Sequence, residues 1–281
     1  MTTRTSIDKR SAWSRILSQG YLWLLLFVLY TPILLIIVFS FTKSKVLGNW
    51  TGFTIGLYEN LFTGYDLSDN VRVDPNLYRA LIYTVVIAFS AALVSTIIGT
   101  IAAIGIFNLR QRYRKGVMFL NSVPMINPDI ITGISLFLLF VFLGISRGLV
   151  TVIIAHVVFC TPYVVLSVMP RLQKMNPNIY EAALDLGATP AQAFRKVLVP
   201  ELWPSMISGF ILSLTLSIDD FGVTFFTKGS NGLETLSTFI YSDARKGGLT
   251  PELRPLFSLI FLTILVLLII SNLRTSKQIK K

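Results

Sequence analysis

The chain has 281 residues, of which 53% are hydrophobic and only 14% are charged, and its formal net charge is +11. A soluble globular domain carries about 25% charged residues, so this composition excludes an ordinary water-soluble fold and favours a surface that faces lipid. The basic residues stand in short clusters between apolar runs, without a zinc-finger or helix-turn-helix pattern, so nucleic acid is not expected as a partner.

Six apolar segments are long enough to cross a bilayer, which takes about 20 residues. The first is too long for the core of a signal peptide and no small-residue cleavage site follows it, so we expect it to remain as a helix. Charges interrupt only the third segment, at Asp129, and the fifth, at Asp219 and Asp220. The predicted spans are residues 21–41, 80–107, 116–145, 148–170, 202–227 and 255–273.

The Lys and Arg residues predict the orientation of these spans. Of the 25 basic residues, 16 fall in the N-terminal segment, the second-third loop, the fourth-fifth loop and the C-terminal tail, and 9 fall on the opposite side. Because cytoplasmic loops carry the excess of positive charge, both termini are predicted to be cytoplasmic. The outer segments are then 42–79 and 228–254, where Trp50, Tyr58 and Tyr65 are interfacial anchors or docking residues for an external partner.

Proline interrupts the third span at Asn127-Pro128-Asp129, because it removes a backbone donor from the helix. Asp129 is expected chiefly to satisfy the backbone groups freed there, with a role in a substrate pathway as the alternative. In the fourth span, His156 and Cys160 are the only residues of their kind and are expected to be buried packing residues. Tyr163, which follows Pro162, is a weaker candidate for the pathway.

The fourth-fifth loop, residues 171–201, predicts two short helices joined by a sharp turn. Asn176 and Pro177 start the first helix over 179–186, and Gly187 ends it in a left-handed conformation. Thr189 with Gln192 forms a capping box that starts the second helix, and Pro200 limits how far that helix runs. By physics alone the hairpin either transmits force from a soluble partner or rests on lipid headgroups.

Two adjacent acids, Asp219 and Asp220, lie in the fifth span, where each costs about 2.5–3.5 kcal/mol unless it meets water or a partner. On one helix their side chains would point about 100° apart. One could therefore line a pathway while the other caps backbone or pairs with a neighbouring helix. With Phe221, Phe225 and Phe226 they suit a polycation that has apolar spacers.

The loop pattern resembles the EAA loop of bacterial ABC importer permeases. It runs Glu181-Ala182-Ala183, three residues, Gly187, nine residues and Val197-Leu198-Val199-Pro200, although the family has Ile and Leu where Val197 and Val199 stand. The resemblance implies an all-α membrane protein with six transmembrane helices of the type I, MetI-like permease fold. It also implies that Glu181, Ala182, Ala183, Gly187 and Pro200 belong to the coupling loop that docks on a cytoplasmic ATPase.

Further stretches resemble the PotC-type permeases of spermidine/putrescine transporters, over about residues 21–273. The resemblance implies a substrate pathway through Asp219, Asp220, Phe221, Asp129 and Tyr163. The implied partners are a PotA-like ATPase dimer, a PotB-like second permease, a PotD-like extracytoplasmic binding protein and the lipid bilayer of a bacterial inner or plasma membrane. The stretches that carry this resemblance are residues 127–130, 134–136, 159–162, 212–221 and 240–242.

The chain has no G-x-x-x-x-G-K-[ST] motif and only one histidine, so we expect a non-catalytic subunit without cofactor or metal, and ATP used by the partner ATPase. The whole chain is expected to be one permease domain, with a cytoplasmic segment 1–20, a core 21–273, the coupling loop 171–201 and a tail 274–281. Two alternatives stay open: an ABC permease for an iron complex, phosphate or another small solute, and a self-contained channel or secondary transporter.

Overall fold

The computed structural model describes residues 12–44, 46, 48–66, 71–176, 178–230 and 232–279. The expected helical fold is confirmed; the described residues add only a two-residue antiparallel ribbon, β1 (Tyr65–Asp66) with β2 (Val71–Arg72). Residues 1–11 of the predicted N-terminal segment, residues 280 and 281 of the tail and the predicted first-turn Pro177 lie outside the described residues. The helices are α1 (Ala12–Phe39), α2 (Gly56–Thr63), α3 (Pro75–Phe107), α4 (Gln111–Ile126), α5 (Asp129–Phe142), α6 (Leu149–Lys174), α7 (Asn178–Asp185), α8 (Pro190–Ala193), α9 (Val199–Asp219), α10 (Gly222–Thr227), α11 (Leu236–Arg245) and α12 (Leu253–Ile279), with a π-helical turn (Phe194–Leu198) between α8 and α9.

Among the described residues, four helices are long and apolar enough to cross a membrane: Gln19–Phe39, Pro75–Phe107, Leu149–Lys174 and Pro190–Asp219. The pair α4 and α5 makes a fifth candidate, broken by a bend of 102°. The apolar part of α12, Leu253–Val266, is shorter. Five of the six predicted spans therefore have a matching helix or helix pair, and the sixth stays a prediction.

The backbone contacts divide the chain into two units, the first made of Met1–Pro75 with Asp243–Lys281. Within it α1 packs on α12, and the segment after α1 folds back through an isolated bridge between Thr42 and Phe53. The Tyr58 hydroxyl lies 2.8 Å from Ser40 Oγ, and its ring lies 5.1 Å from that of Phe41. Tyr58 therefore packs inside this unit.

The second unit, Asn76–Ser242, is organised around α6. The side chain of Val164 on α6 lies between two glycines: a Cβ on Gly99 of α3 would come within 2.7 Å of it, and a Cβ on Gly209 of α9 within 3.3 Å. Small residues at such contacts let membrane helices approach closely, where dispersion rather than the hydrophobic effect drives packing. A buried cluster of Phe140, Phe159, Cys160 and Val223 then joins α5 and α6 to α10.

Candidate functional site

The third predicted span breaks between α4 and α5. Asn127 and Pro128 are both extended, with ψ of 136° and 140°. Proline disfavours a helical conformation in the residue before it and has no N–H to donate, so the helix stops and restarts at a steep angle. Asp129 then occupies the first turn of α5.

The Asp129 side chain is exposed and accepts no hydrogen bond from any residue that the structure describes. A backbone carbonyl instead accepts from two amides at the start of α5: Pro128 O accepts from Ile131 N at 2.9 Å and from Thr132 N at 3.3 Å. The expectation that Asp129 satisfies these groups is therefore wrong. The Asp129 carboxylate is therefore exposed and can contact another molecule.

The fifth predicted span also breaks, at its acidic pair. α9 ends at Asp219, Asp220 is extended with ψ of 130°, and α10 begins at Gly222. Asp220 Oδ1 accepts from Val223 N at 3.1 Å, and Oδ2 accepts from Thr224 N at 2.8 Å. A side chain that takes up backbone donors in this way offers the chain an alternative to a continuous helix.

This break corrects the expectation of one helix over 202–227 with the two acids 100° apart. The structure separates their roles, because Asp220 is 6% exposed and its carboxylate is occupied by α10. Asp219 is exposed and accepts no hydrogen bond from the part of the chain that the structure describes. The sequence left open which of the two acids caps backbone amides, and the structure assigns that role to Asp220.

His156 lies directly behind this break and was not predicted to take part in it. It is fully buried, with Nδ1 2.6 Å from Ser217 Oγ and Nε2 2.9 Å from Thr224 Oγ1. Its Nε2 also lies 3.3 Å from Asp220 Oδ2. The expected burial is confirmed, but the residue is a polar junction of α6, α9 and α10 rather than simple packing. The sequence around His156 could not predict this role, because its two hydrogen-bond partners lie 61 and 68 residues away in the chain.

The two breaks meet in space through two glycines. A Cβ on Gly133 of α5 would come within 2.8 Å of Gly222 O, and a Cβ on Gly222 would come within 3.2 Å of Asp129 Cβ. Because both positions are glycine, α5 and α10 pack in direct backbone contact. Asp129 is consequently within electrostatic range of both Asp219 and Asp220.

Aromatic rings border the acids. The Phe221 ring lies 4.8 Å from that of Tyr241 and 5.3 Å from that of Phe225, and both phenylalanine rings are only partly covered. Tyr163 is half-buried on α6 and within electrostatic range of Asp129. Lys228 is the nearby cation: its Nζ lies 5.8 Å from the Phe225 ring centroid and 3.3 Å from Glu234 Oε1. Together, accessible carboxylates and ring faces can receive an organic cation.

At the other end of α9, the loop 171–201 folds as predicted in its local features. α7 covers Asn178–Asp185, and Gly187 is left-handed with φ of +84°. Thr189 Oγ1 accepts from Gln192 N at 3.4 Å while Gln192 Oε1 accepts from Thr189 N at 3.1 Å, which confirms the capping box. Thr189 thereby defines where the second helix of the hairpin begins.

The hairpin presents a small exposed face. Glu181, Ala182 and Gly187 are exposed, Leu186 is 89% exposed, and Ala183 is half-buried. Glu181 also borders a cavity of about 360 Å³ that is otherwise mostly apolar. A nearly bare leucine beside small residues is a surface that another protein can cover. The other residues that line the cavity are Ile104, Phe107, Asn108, Leu172, Met175, Tyr180, Phe194 and Leu198.

Pro200 does not end the second helix, which corrects the prediction. The helix runs without interruption over Pro190–Asp219 because a π-helical turn precedes the proline, and Val199 N donates to Phe194 O across it. A wider turn removes the need for the donor that proline lacks. The hairpin and Asp219 are therefore the two ends of one helix of 30 residues, about 45 Å at the usual rise.

An ion pair closes the base of the loop. Arg171 Nη2 donates to Glu201 Oε1 at 2.6 Å, and Arg171 Nε donates to the Glu201 carbonyl at 3.2 Å. Both side chains are well exposed, so the pair adds little stability by itself. It does hold the end of α6 to the start of α9, so the loop leaves and re-enters the bundle at one point.

These features define a membrane-spanning subunit of a solute transporter. It has several apolar helices, two broken spans that bring accessible acids together, and an exposed hairpin rigidly joined to one of those spans. Among the described residues, no group of three or more His, Cys, Asp or Glu side chains could hold a metal ion. Discontinuous helices are where transporters commonly place their substrate and coupling sites.

Comparison with known proteins identifies the family. Residues 95–275 match the model for the binding-protein-dependent transport system inner membrane component. The chain belongs to this family, and it is thus a permease subunit of an importer of the ABC type. The spermidine/putrescine transport system permease protein PotC of Haemophilus influenzae is 35% identical over 93% of this chain and 97% of its own length. The putrescine transport system permease protein PotI of Escherichia coli K12 is 37% identical over 83% of this chain and 81% of its own.

Two solved structures share the fold. A chain from a bacterial ABC transporter involved in the import of the acidic polysaccharide alginate superposes with a TM-score of 0.67, at 15% identity, over 98% of this chain and 99% of that one. A chain from the MetNI methionine ABC transporter, in an inward-facing conformation, gives 0.53 at 24% identity, over 69% of this chain and 90% of that one. The predicted MetI-like permease fold is confirmed.

Proposed function

We propose that this permease forms half of the transmembrane pathway for polyamines, spermidine or putrescine, in an ATP-driven importer. The observation that carries the proposal is the pair of accessible carboxylates, Asp129 and Asp219, brought together where two broken spans meet. Acids inside a membrane bundle are costly and mark pathways for ions and charged solutes. Their number and sign favour a cation over phosphate or another anion.

The chemistry of the site matches a flexible polycation. Each ammonium group of a polyamine loses hydration on entering the bundle, and a carboxylate replaces that hydration with a charge-assisted hydrogen bond. The methylene spacers between the ammonium groups pack on ring faces, here those of Phe221 and Tyr241, with Tyr163 within electrostatic range of Asp129. The two relatives described above, whose names include spermidine and putrescine, support the same substrate class.

The proposed topology has six spans in a bacterial cell membrane with both termini in the cytoplasm, because the basic residues are concentrated on that side. The chain then divides into the segment 1–20, the core 21–273 with the loop 171–201, and the tail 274–281. In this topology the hairpin would lie at the cytoplasmic end of the continuous helix Pro190–Asp219, and Asp219 would lie toward its outer end. A displacement of the hairpin would therefore be carried directly to the acids.

The family implies an ATPase and a substrate-binding protein as partners. We propose a PotA-like ATPase dimer that uses ATP, a PotB-like second permease and a PotD-like binding protein, with no catalytic residue or cofactor in this chain. Glu181, Ala182, Ala183 and Gly187 would contact the ATPase, and Pro200 would lie at the junction of hairpin and span. The exposed Leu186 on the same face supports such a contact.

The test compares Asp219→Asn with Asp219→Glu, and Asp129→Asn with Asp129→Glu, in cells that express the complete importer. Loss of one charge-assisted contact should lower the uptake of labelled spermidine or putrescine on the order of tenfold, while the Glu variants retain most of it. ATP hydrolysis and the amount of the chain in the membrane should change little. Unchanged polyamine uptake in both Asn variants would remove the basis of the proposal.

A further inference from the structure

With a neutral His156 ring, the hydrogen bonds of the junction behind the acidic break follow a self-consistent pattern of proton donation. The Asp220 carboxylate only accepts, so the hydroxyl of Thr224 donates its one proton to Asp220 Oδ2, at 2.8 Å. Thr224 Oγ1 must then accept from His156, 2.9 Å away, which places the ring proton on Nε2. In the neutral ring Nδ1 accepts from the Ser217 hydroxyl at 2.6 Å. The bonds therefore run in one direction, from Ser217 through His156 and Thr224 to Asp220.

This chain of hydrogen bonds ties three helices to one point. His156 lies on α6, Ser217 on the last turns of α9 and Thr224 on α10, and all three side chains are buried. A fourth contact holds the break from its other side, where Ser237 Oγ donates to the Asp220 carbonyl at 2.6 Å. In a low-dielectric interior each such bond is strengthened, and its loss leaves an unsatisfied buried group.

The residues on either side of Asp220 are the candidate substrate contacts. Asp219 and Phe221 are its direct neighbours in the chain, and their side chains are accessible while that of Asp220 is not. Their placement depends on the extended conformation of Asp220, which its bonds to Val223 N and Thr224 maintain. A helical Asp220 would turn Phe221 and the start of α10 to a different direction.

We infer that His156 is a positioning residue, which through Thr224 and Asp220 holds the break between α9 and α10 so that Asp219 and Phe221 face the substrate. It touches no substrate itself. The inference rests on the proposed function for the role of Asp219 and adds His156, Ser217 and Thr224 to the residues that determine substrate capture. A histidine that only fills space would tolerate any change that keeps its volume.

Matched pairs of variants separate these two roles. Thr224→Val keeps the shape of the side chain and removes the hydroxyl, whereas Thr224→Ser keeps the hydroxyl. His156→Gln places an amide near the position of Nε2, whereas His156→Asn reaches only the position of Nδ1. The quantity to measure is the amount of spermidine imported per ATP hydrolysed by the complete importer, normalised to the chain in the membrane.

We expect Thr224→Val and His156→Asn to lower spermidine imported per ATP about fivefold or more, and Thr224→Ser and His156→Gln to stay close to wild type. Equal values for Thr224→Val and Thr224→Ser would overturn the inference. So would a loss of uptake that follows only the amount of chain in the membrane. If His156→Asn fails to insert, the threonine pair decides the question.

A second readout does not depend on the substrate. The chain has one cysteine, the buried Cys160, so Asp219→Cys introduces a unique accessible thiol for a cationic methanethiosulfonate reagent. Adding Thr224→Val should change its labelling rate in membranes severalfold, and adding Thr224→Ser should not. The same rate in all three backgrounds would overturn the inference even if Asp219→Asn abolishes uptake. Conversely, normal uptake by both Asp219→Asn and Asp129→Asn would refute the proposed function without changing the outcome of the labelling experiment.

Discussion

Gly187 allows a test of the coupling hairpin in which the order of the substitutions separates backbone conformation from side-chain size, because Asn is larger than Ala but fits the left-handed region better. Its φ is +84°, and a Cβ built on it would have no atom within 4 Å. Substitution therefore causes no steric clash, and its cost comes from holding an L-residue in the left-handed region, about 1–2 kcal/mol. Asparagine tolerates this region better than alanine does, and β-branched valine tolerates it least. The expected order of damage is Asn, then Ala, then Val.

The magnitude follows from the turn itself. Gly187 N donates to Leu184 O at 2.9 Å and Ala188 N donates to Ala183 O at 3.1 Å, so the sharp turn depends on few bonds. A penalty of 1–2 kcal/mol lowers the population of the bent hairpin relative to opened forms by about 5–30-fold. We expect Gly187→Val to lose uptake, and ATP hydrolysis stimulated by the binding protein, by about that factor, with normal membrane insertion.

The assay measures uptake, stimulated ATP hydrolysis and membrane abundance for Gly187→Asn, Gly187→Ala and Gly187→Val. Gly247→Val is the matched control, because Gly247 has φ of +98° and equally open surroundings but lies outside the hairpin. The reasoning is refuted if Gly187→Val couples as the wild type does, or if Gly187→Asn is as damaging as Gly187→Val. A similar loss in Gly247→Val would show that strain anywhere in the chain is sufficient.

Two further predictions concern packing around the broken spans. Gly133→Ala should lower the free energy of unfolding by about 1–3 kcal/mol and reduce uptake, because the added Cβ would come within 2.8 Å of Gly222 O. Gly105→Ala, which places its Cβ in open space, should behave as the wild type. Thermal unfolding in detergent measures the first effect and an uptake assay measures the second. Cys160, which is 0% exposed, should resist a charged thiol reagent in intact membranes and react only after denaturation, and rapid labelling without denaturant would contradict the packing of α6.

The hairpin could be predicted in detail because its determinants are local. Gly187 needs only its own freedom at positive φ, and the cap at Thr189 is made with Gln192, three residues along the chain. Short-range hydrogen bonds of this kind need no knowledge of the tertiary fold. Five of the spans were located for a similar reason, since the hydrophobicity of a segment is a property of its own residues.

The outcome at Pro200 and at the acidic pair depended on surroundings that the sequence does not display. Pro128 does break its span, but Pro200 does not, because the π-helical turn before it absorbs the missing donor. The sequence left Asp219 and Asp220 with two interchangeable roles. Only the nearby amides of α10 and the imidazole of His156 assign the buried one to Asp220.

What the sequence alone determined is the class of molecule and the hairpin: apolar length, charge asymmetry and short-range caps each follow from residues within one segment. What only the tertiary structure decided is the site, because its parts are distant in the chain. His156 meets partners 61 and 68 residues away, and Gly133 meets Gly222 through bare backbone. Packing between helices arises from side-chain shapes in three dimensions, so which polar groups become neighbours cannot be read from any single helix.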